Sequence, residues 1–281
     1  MKNEEEKRNE KKELSNKEEQ QIEANKTAWG TLSKDHYEHF KIKLADKDFK
    51  LNPMVEEELG DVKGKKILHL QCNTGADSIL LARKGAIVTG VDLVPDNMHY
   101  ARELAKDFGI DTVEFITSDI LKLMEVHEGE YDIVMTTDGA IGWLPDLNQW
   151  GKVIAHFLKD DGFFYLHDGH PFMGIFDETA LNRGELNPRY PYFQMSGDYE
   201  STIGGYASEE KKAENYFWGH QLSTIVNGLL SGELYITYIK EYDRCVPGMG
   251  GSKTDANGLC YYPELVGKLP IVFSLKAEKK K

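Results

Sequence analysis

Residues Lys65–Asp92, KKILHLQCNTGADSILLARKGAIVTGVD, decide how the rest of the chain is read. The apolar run Ile67–Leu68–His69–Leu70 predicts a short strand buried on both faces. A turn follows over Gln71–Cys72–Asn73–Thr74–Gly75, and then Ile79, Leu80, Leu81 and Ala82 recur at helical spacing. A second strand, Ala86 to Val91, ends on the carboxylate of Asp92. Strand, tight turn, helix, strand and acidic tip form a right-handed unit suited to an adenosine-bearing ligand. The turn offers backbone N–H groups and a helix N-terminus to the ligand. Asp92 can accept both ribose hydroxyls.

Downstream, the same alternation continues. Pro95 suits a first helical turn, and Met98, Ala101, Leu104, Ala105 and Phe108 follow at helical spacing until Gly109. Strands are expected at Thr112–Ile116, Tyr131–Met135 and Gly162–Leu166, with an amphipathic helix through Leu147, Trp150, Ile154 and Phe157 between the last two. Five strands alternating with helices predict an α/β fold, a Rossmann-like doubly wound parallel sheet covered on both sides. Phe172 to Ala213 is rich in Gly, Pro, Asn and Tyr and shows no clear periodicity. So long an irregular segment reads as a lid or a substrate wall. Beyond it lie a helix near Gln221–Leu230 and strands at Glu233–Ile239 and Pro270–Leu275.

Upstream, residues 1–21 alternate Glu and Lys and read as a solvated tail or frayed helix. From Ile22 a helical face gathers Ala28, Trp29, Leu32, Tyr37 and Phe40, and a short helix Pro53–Leu59 stops at Gly60. The expected organisation is a charged tail, 1–21, before a single domain, 22–281. Within that domain fall an N-terminal helical lid (22–60), a core (61–171), a cap-like insertion (172–215) and the C-terminal part of the core (216–281).

The chain has 281 residues, 40% of them hydrophobic, enough for a packed core. Lys and Arg number 34 against 47 Asp and Glu, a net charge of -13. Such a surface repels phosphate backbones, which argues against nucleic acid as a partner. No apolar run approaches the ~20 residues that span a bilayer. The opening MKNEEEKRNEKK lacks a signal peptide's apolar centre. Three cysteines, Cys72, Cys245 and Cys260, form no disulfide framework and suit a reducing compartment. A cytoplasmic monomer or homodimer without membrane contact is expected.

Two cofactor readings compete for the first turn. A nicotinamide or flavin dinucleotide calls for G-x-G-x-x-G, because its diphosphate approaches the backbone closely. Here Gly75 stands alone, with bulky Gln71 and Asn73 where small residues are needed. S-adenosylmethionine carries no phosphate and tolerates side-chain amides around its methionyl group.

The succession ILHLQCNTG, GVDLVPDNMHYAR, FITSDI, YDIVMTTDGAIGWLPDLNQW and GFFYLHDGHPF resembles the class I S-adenosylmethionine-dependent methyltransferases. It looks closest to a bacterial small-molecule group whose first loop reads L-H-L-Q-C instead of D-x-G-x-G-x-G. The resemblance implies seven strands, the last antiparallel and inserted beside the fifth. It implies that Gln71, Cys72, Asn73 and Gly75 line the methionyl half and that Asp92 binds the ribose. Leu93 and Met98 would flank the adenine, with Asp119 and Ile120 at its edge. Thr137 would face the sulfonium, and Tyr37 would close the pocket.

Methyl transfer is an in-line displacement in which positioning supplies most of the acceleration, and a base is needed only where the acceptor bears a proton. The acceptor, a small molecule with an O, N or S nucleophile, should enter over the tips of strands four and five. Candidates there are Asp138, Trp143, His167, Asp168, His170 and the aromatic stretch with Phe172, Tyr190, Tyr192 and Phe193. Trp218 and His220 follow from the next helix. His170 is the candidate base. It also fits a plain hydrogen bond in the turn before Pro171, and His167, Asp168 and His170 could instead meet on a metal, although no metal is expected. A nicotinamide oxidoreductase and a non-catalytic cofactor-binding module remain the alternatives.

Overall fold

The computed structural model describes residues 4–193 and 197–280. A helix α1, Glu4–Ala45, and a short α2, Pro53–Leu59, precede the sheet. The α/β alternation then runs β1 (Lys66–Leu70), α3 (Ala76–Arg83), β2 (Ile87–Asp92), α4 (Pro95–Asp107), β3 (Val113–Thr117), β4 (Tyr131–Thr137), α5 (Leu147–Phe157) and β5 (Leu158–Gly169). After α6 (Glu178–Asn182) come a hairpin, β6 (Asp198–Gly205) and β7 (Ser208–Phe217), then α7 (Leu222–Ser231) and β8 (Leu234–Tyr242). Two short strands, β9 (Lys253–Thr254) and β10 (Cys260–Tyr261), precede the closing β11 (Val272–Lys279).

Seven strands lie in the order β3-β2-β1-β4-β5-β11-β8. Those from β1 to β5 pair in parallel. β11 is antiparallel to both β5 and β8, so the chain's last strand is inserted beside the fifth, as the sequence implied. Because successive strand residues face opposite sides, neighbours divide between two cores. Leu68, Val134 and Phe164 join Trp150, Ile154 and Phe157 beneath α5. Ile67, Ile133 and Tyr165 join Ile79, Leu81 and Leu104 beneath α3 and α4. Each fully buried Leu, Ile or Phe contributes about 1.5–3 kcal/mol relative to exposure. Double-sided burial is what makes these strands continuous apolar runs.

The helix α5 can lie against α7 because both carry glycine at the crossing. A Cβ on Gly151 would fall 2.0 Å from the carbonyl oxygen of Gly228. Met98 has no exposure and belongs to the core cluster under α4 with Leu104 and Ile79, which corrects its expected place beside an adenine.

The segment read as irregular contains the β6–β7 hairpin. Its strands are largely exposed and polar, so they carry no apolar alternation to detect. It packs on α1, where Ile203 and Ala213 meet Ala28, Leu32 and Trp29. The Asn25 side chain completes the joint, donating to the carbonyl of Tyr216 (2.8 Å) and accepting from its N–H (2.7 Å). The described helix α1 runs back to Glu4, through most of the charged stretch. No helix among the described residues is long and apolar enough to cross a membrane.

Candidate active site

A cavity of about 630 Å³ opens at the C-terminal tips of β1, β2 and β4. α1, the approach to α2, Tyr206 at the β6–β7 turn and the loop Val246–Met249 complete its wall. Ligands of open α/β sheets bind at these strand ends.

One half is built from the first turn. Gln71 (φ 55°) and Asn73 (φ 51°) adopt left-handed backbone conformations, a strain that recurs at ligand sites. Gly75 (φ 76°) must be glycine, because a Cβ there would lie 2.6 Å from the Phe115 ring. It shapes the turn without lining the cavity, a correction to its expected contact role. Gln71 Nε2 donates to the carbonyl of Ala140 (2.8 Å), tying the β1 turn to the β4 turn, while its buried Oε1 has no partner among the described residues. Asp92 Oδ2 accepts from the N–H of Asn73 (3.0 Å), and Oδ1 accepts from Val94 N–H (3.0 Å) and Asn97 Nδ2 (3.1 Å). Burial raises its pKa, and these three donors oppose the shift. Oδ2 therefore retains acceptor capacity at the cavity wall. Leu93, Asp119 and Ile120 line the same half, and Asp119 Oδ1 accepts from the N–H of Leu121 (2.9 Å). Cys72 lines it too. Burial, with Asp92 next in effect, pushes its thiol well above the usual range, so it is no nucleophile.

The other half gathers Thr137, Asp138 and Trp143 with four residues that sequence reading did not single out: Asn52, His69, Asp77 and Tyr206. His69 Nδ1 lies 2.9 Å from Ser78 Oγ and Nε2 lies 3.3 Å from Thr137 Oγ1, and burial lowers its pKa to about 4, leaving it neutral. Asp138 (φ 49°) sits 2.5 Å from His167 Nδ1 and accepts weakly from Asn52 Nδ2 (3.4 Å). Burial alone would lower His167, but the hydrogen bond and charge of Asp138 outweigh it and raise the pKa. Asp77 is pushed up to about 7, first by burial and then by Asp138. The rings of Phe40 and Phe49 (6.4 Å apart, tilted) and of Phe40 and Tyr206 (6.0 Å apart, edge-on) adjoin one another in the lining of this half.

Several expected site residues lie elsewhere. Tyr37 is on the outer side of α1, stacked on Tyr100 at 5.0 Å and hydrogen-bonded to Asp107 (2.9 Å), so it does not close the cavity. His167 is fully buried, outside the cavity lining, and is joined to it by its contact with Asp138. His170 borders a second cavity, about 510 Å³, together with Trp218 and His220. The two cavities meet at Gly139 and Gly248–Met249. Both nitrogens of His170 are engaged: Nδ1 accepts from Phe172 N–H (3.2 Å) and Nε2 lies 2.9 Å from Glu241 Oε1. The candidate base is thus a structural link between β5 and β8. Phe172 and Tyr192 stack on each other at 5.0 Å and line neither cavity. Asp168 accepts from the N–H groups of Gly139, Ala140 and Ile141 and so shapes the β4 turn.

Sheet order and cavity together define the fold of the class I S-adenosylmethionine-dependent methyltransferases. The chain belongs to the methyltransferase domain family, whose model matches residues 61–204. It is 29% identical over 151 residues to a ubiquinone biosynthesis O-methyltransferase of Bordetella avium, covering 52% of this chain and 56% of that one. A second ubiquinone biosynthesis O-methyltransferase, from Escherichia coli, is 29% identical over 117 residues, 40% of this chain and 48% of its own length. The chain thus spans about half the length of these curated relatives. Among solved structures, a Listeria monocytogenes protein described as an S-adenosylmethionine-dependent methyltransferase superposes with a TM-score of 0.57 at 21% identity, over 81% of this chain and 96% of the other. One from Mesorhizobium loti gives 0.52 at 15%, over 81% and 96%. At these identities the likeness is one of fold.

Proposed function

We propose that the protein transfers a methyl group from S-adenosylmethionine to a small-molecule acceptor bearing an O, N or S nucleophile. The observation that carries this reading is a single cavity joining the Asp92–Asn73 half to the half around Asp138 and Tyr206, so donor and acceptor can lie end to end. Bound S-adenosylmethionine supplies a sulfonium methyl open to in-line attack. Asp92 Oδ2 would accept the ribose hydroxyls, and Gln71 Oε1, buried without a partner among the described residues, would accept from the methionyl end. Asp119 and Ile120 would meet the adenine, with Leu93 on its face. The lining also speaks against a dinucleotide. Four carboxylates, Asp77, Asp92, Asp119 and Asp138, border the cavity, while its two lysines, Lys43 and Lys50, are exposed. A diphosphate would add negative charge beside these carboxylates. Three cysteines without disulfides support a reducing, cytoplasmic setting.

Calorimetry with S-adenosylhomocysteine and with NADH tests the reading. Binding of the first alone supports it, and binding of NADH alone overturns it. Incubation of the protein with S-adenosylmethionine and a metabolite mixture should then give, by mass spectrometry, products heavier by one CH₂ unit.

A further inference from the structure

The half of the cavity proposed for the acceptor has an unusual charge pattern. Asp77 lines it from the first turn of α3, and its carboxylate makes no hydrogen bond or ion pair among the described residues. It is partly exposed and forms part of the cavity lining. The remaining carboxylates are held. Asp92 accepts three donors, Asp119 caps a turn, and Asp138 is bound by His167. The groups facing Asp77 are Asp138 at the β4 turn, His167 on β5, Tyr206 at the hairpin turn and Cys72 in the β1 turn. Only His167 among them can carry positive charge, and Asp138 already holds it. Around this point Phe40, Phe49 and Tyr206 form an aromatic wall, and His69 is neutral. A carboxylate without a protein partner, beside aromatic rings, favours a cationic guest and disfavours an anionic one.

We propose that the acceptor is an amine, taken up as its ammonium against the aromatic wall, with Asp77 as the group that removes its proton. This rests on the methyltransferase reading of the same cavity. The ammonium gives one N–H proton to a carboxylate oxygen of Asp77. The freed nitrogen lone pair then forms a bond to the methyl carbon of the sulfonium donor. The carbon–sulfur bond breaks with its electron pair passing to sulfur, leaving a neutral thioether and a methylated ammonium. A carboxyl that titrates near neutrality, as burial and Asp138 make this one, can accept and release that proton in turnover. A phenol or carboxylic acid would instead arrive as a developing anion beside two carboxylates.

The test uses the full chain saturated with S-adenosylhomocysteine and three matched probes: 2-phenylethylamine, 2-phenylethanol and 3-phenylpropionate. Calorimetry at neutral pH should show the amine bound at least about tenfold more tightly than the alcohol or the acid, the ordinary size of one desolvated charge interaction. Asp77→Asn should abolish that preference while S-adenosylhomocysteine still binds, which also reports that the variant is folded. Equal binding of amine and alcohol, preference for the acid, or no binding of the amine overturns the proposal on the unaltered protein alone. If Asp77→Asn instead weakens S-adenosylhomocysteine about tenfold and leaves amine preference intact, Asp77 serves the donor's own ammonium and the proposal fails. Failure of S-adenosylhomocysteine to bind the unaltered protein would count against the methyltransferase reading itself.

Discussion

Asp138 and His167 lock each other twice: the His167 carbonyl accepts the N–H of Asp138 at 2.8 Å, and its Nδ1 lies 2.5 Å from the Asp138 carboxylate. Thr137 and His167 are already register partners at the paired tips of β4 and β5, so the next residue can turn its carboxylate back over the strand it just left. The left-handed backbone of Asp138 is the local cost of that turn, and the adjoining Gly139 (φ 83°) completes it. A carboxylate held this way is a fixed feature of the cavity floor, in contrast to the unpartnered Asp77. His167→Leu should remove the hydrogen bond and leave Asp138 without its main partner. Urea denaturation should show a loss of about 2 kcal/mol. An unchanged midpoint would mean that Asp138 finds another donor.

Asp92 offers a direct test of cofactor binding. Asp92→Ala removes the carboxylate facing the cavity and should weaken S-adenosylhomocysteine by roughly 1–3 kcal/mol, the range for charge-assisted hydrogen bonds. Calorimetry reads this, and unaltered affinity would remove the carboxylate from the ligand site. Loss of the Asn73 N–H contact belongs to the same effect, since Asp92 also holds that turn.

His170→Gln separates a base from a structural link. The side chain joins Glu241 on β8 to the turn at Phe172 and borders only the second cavity. The expected outcome is S-adenosylhomocysteine affinity within about twofold of the unaltered protein and stability lower by about 1 kcal/mol. A large drop in affinity would return His170 to the ligand site.

Acid sensitivity should trace to histidines buried without charge. His36 is 1% exposed, neither ring nitrogen has a partner among the described residues, and its neighbours include Trp29 and Tyr206. Burial, with His39 and Lys211 adding and Asp35 opposing, lowers its pKa from 6.5 to about 4. Between these values the unfolded chain binds the proton and the folded one does not. Stability is therefore complete above about pH 6.5 and falls as the pH drops toward 4. His36→Phe keeps the aromatic contacts and deletes the titration. From pH 7 to pH 5 it should lose about 2 kcal/mol less than the parent in urea denaturation. His69 has the same sign and contributes equally to both proteins. Parallel pH curves would refute the assignment.

Much of the sheet was legible because its parallel strands are buried on both faces and appear as apolar runs. The place of Asp92 on the cavity wall was legible because it ends the second strand of a β-turn-α-β unit. The errors have common physical causes. Tyr37 and Phe40 stand three residues apart on one long helix, and only the packing of α1 on α4 and β7 decides which of them faces inward. His170 looked available because Glu241, its partner, is 71 residues away on another strand. Asp77 was passed over because an acidic residue in a first helical turn is commonplace. Tyr206 lies in a hairpin whose polar strands carry no periodic signal.

The family model begins at residue 61, yet Trp29, Phe40 and Phe49, which wall the cavity, all precede it. Under the proposed reading, the wall that encloses the guest and the strand tips at the donor end are thereby supplied by different stretches of one polypeptide. Substitutions in the amino-terminal segment would then reshape the space for a guest without touching the turns at Asn73 and Asp92.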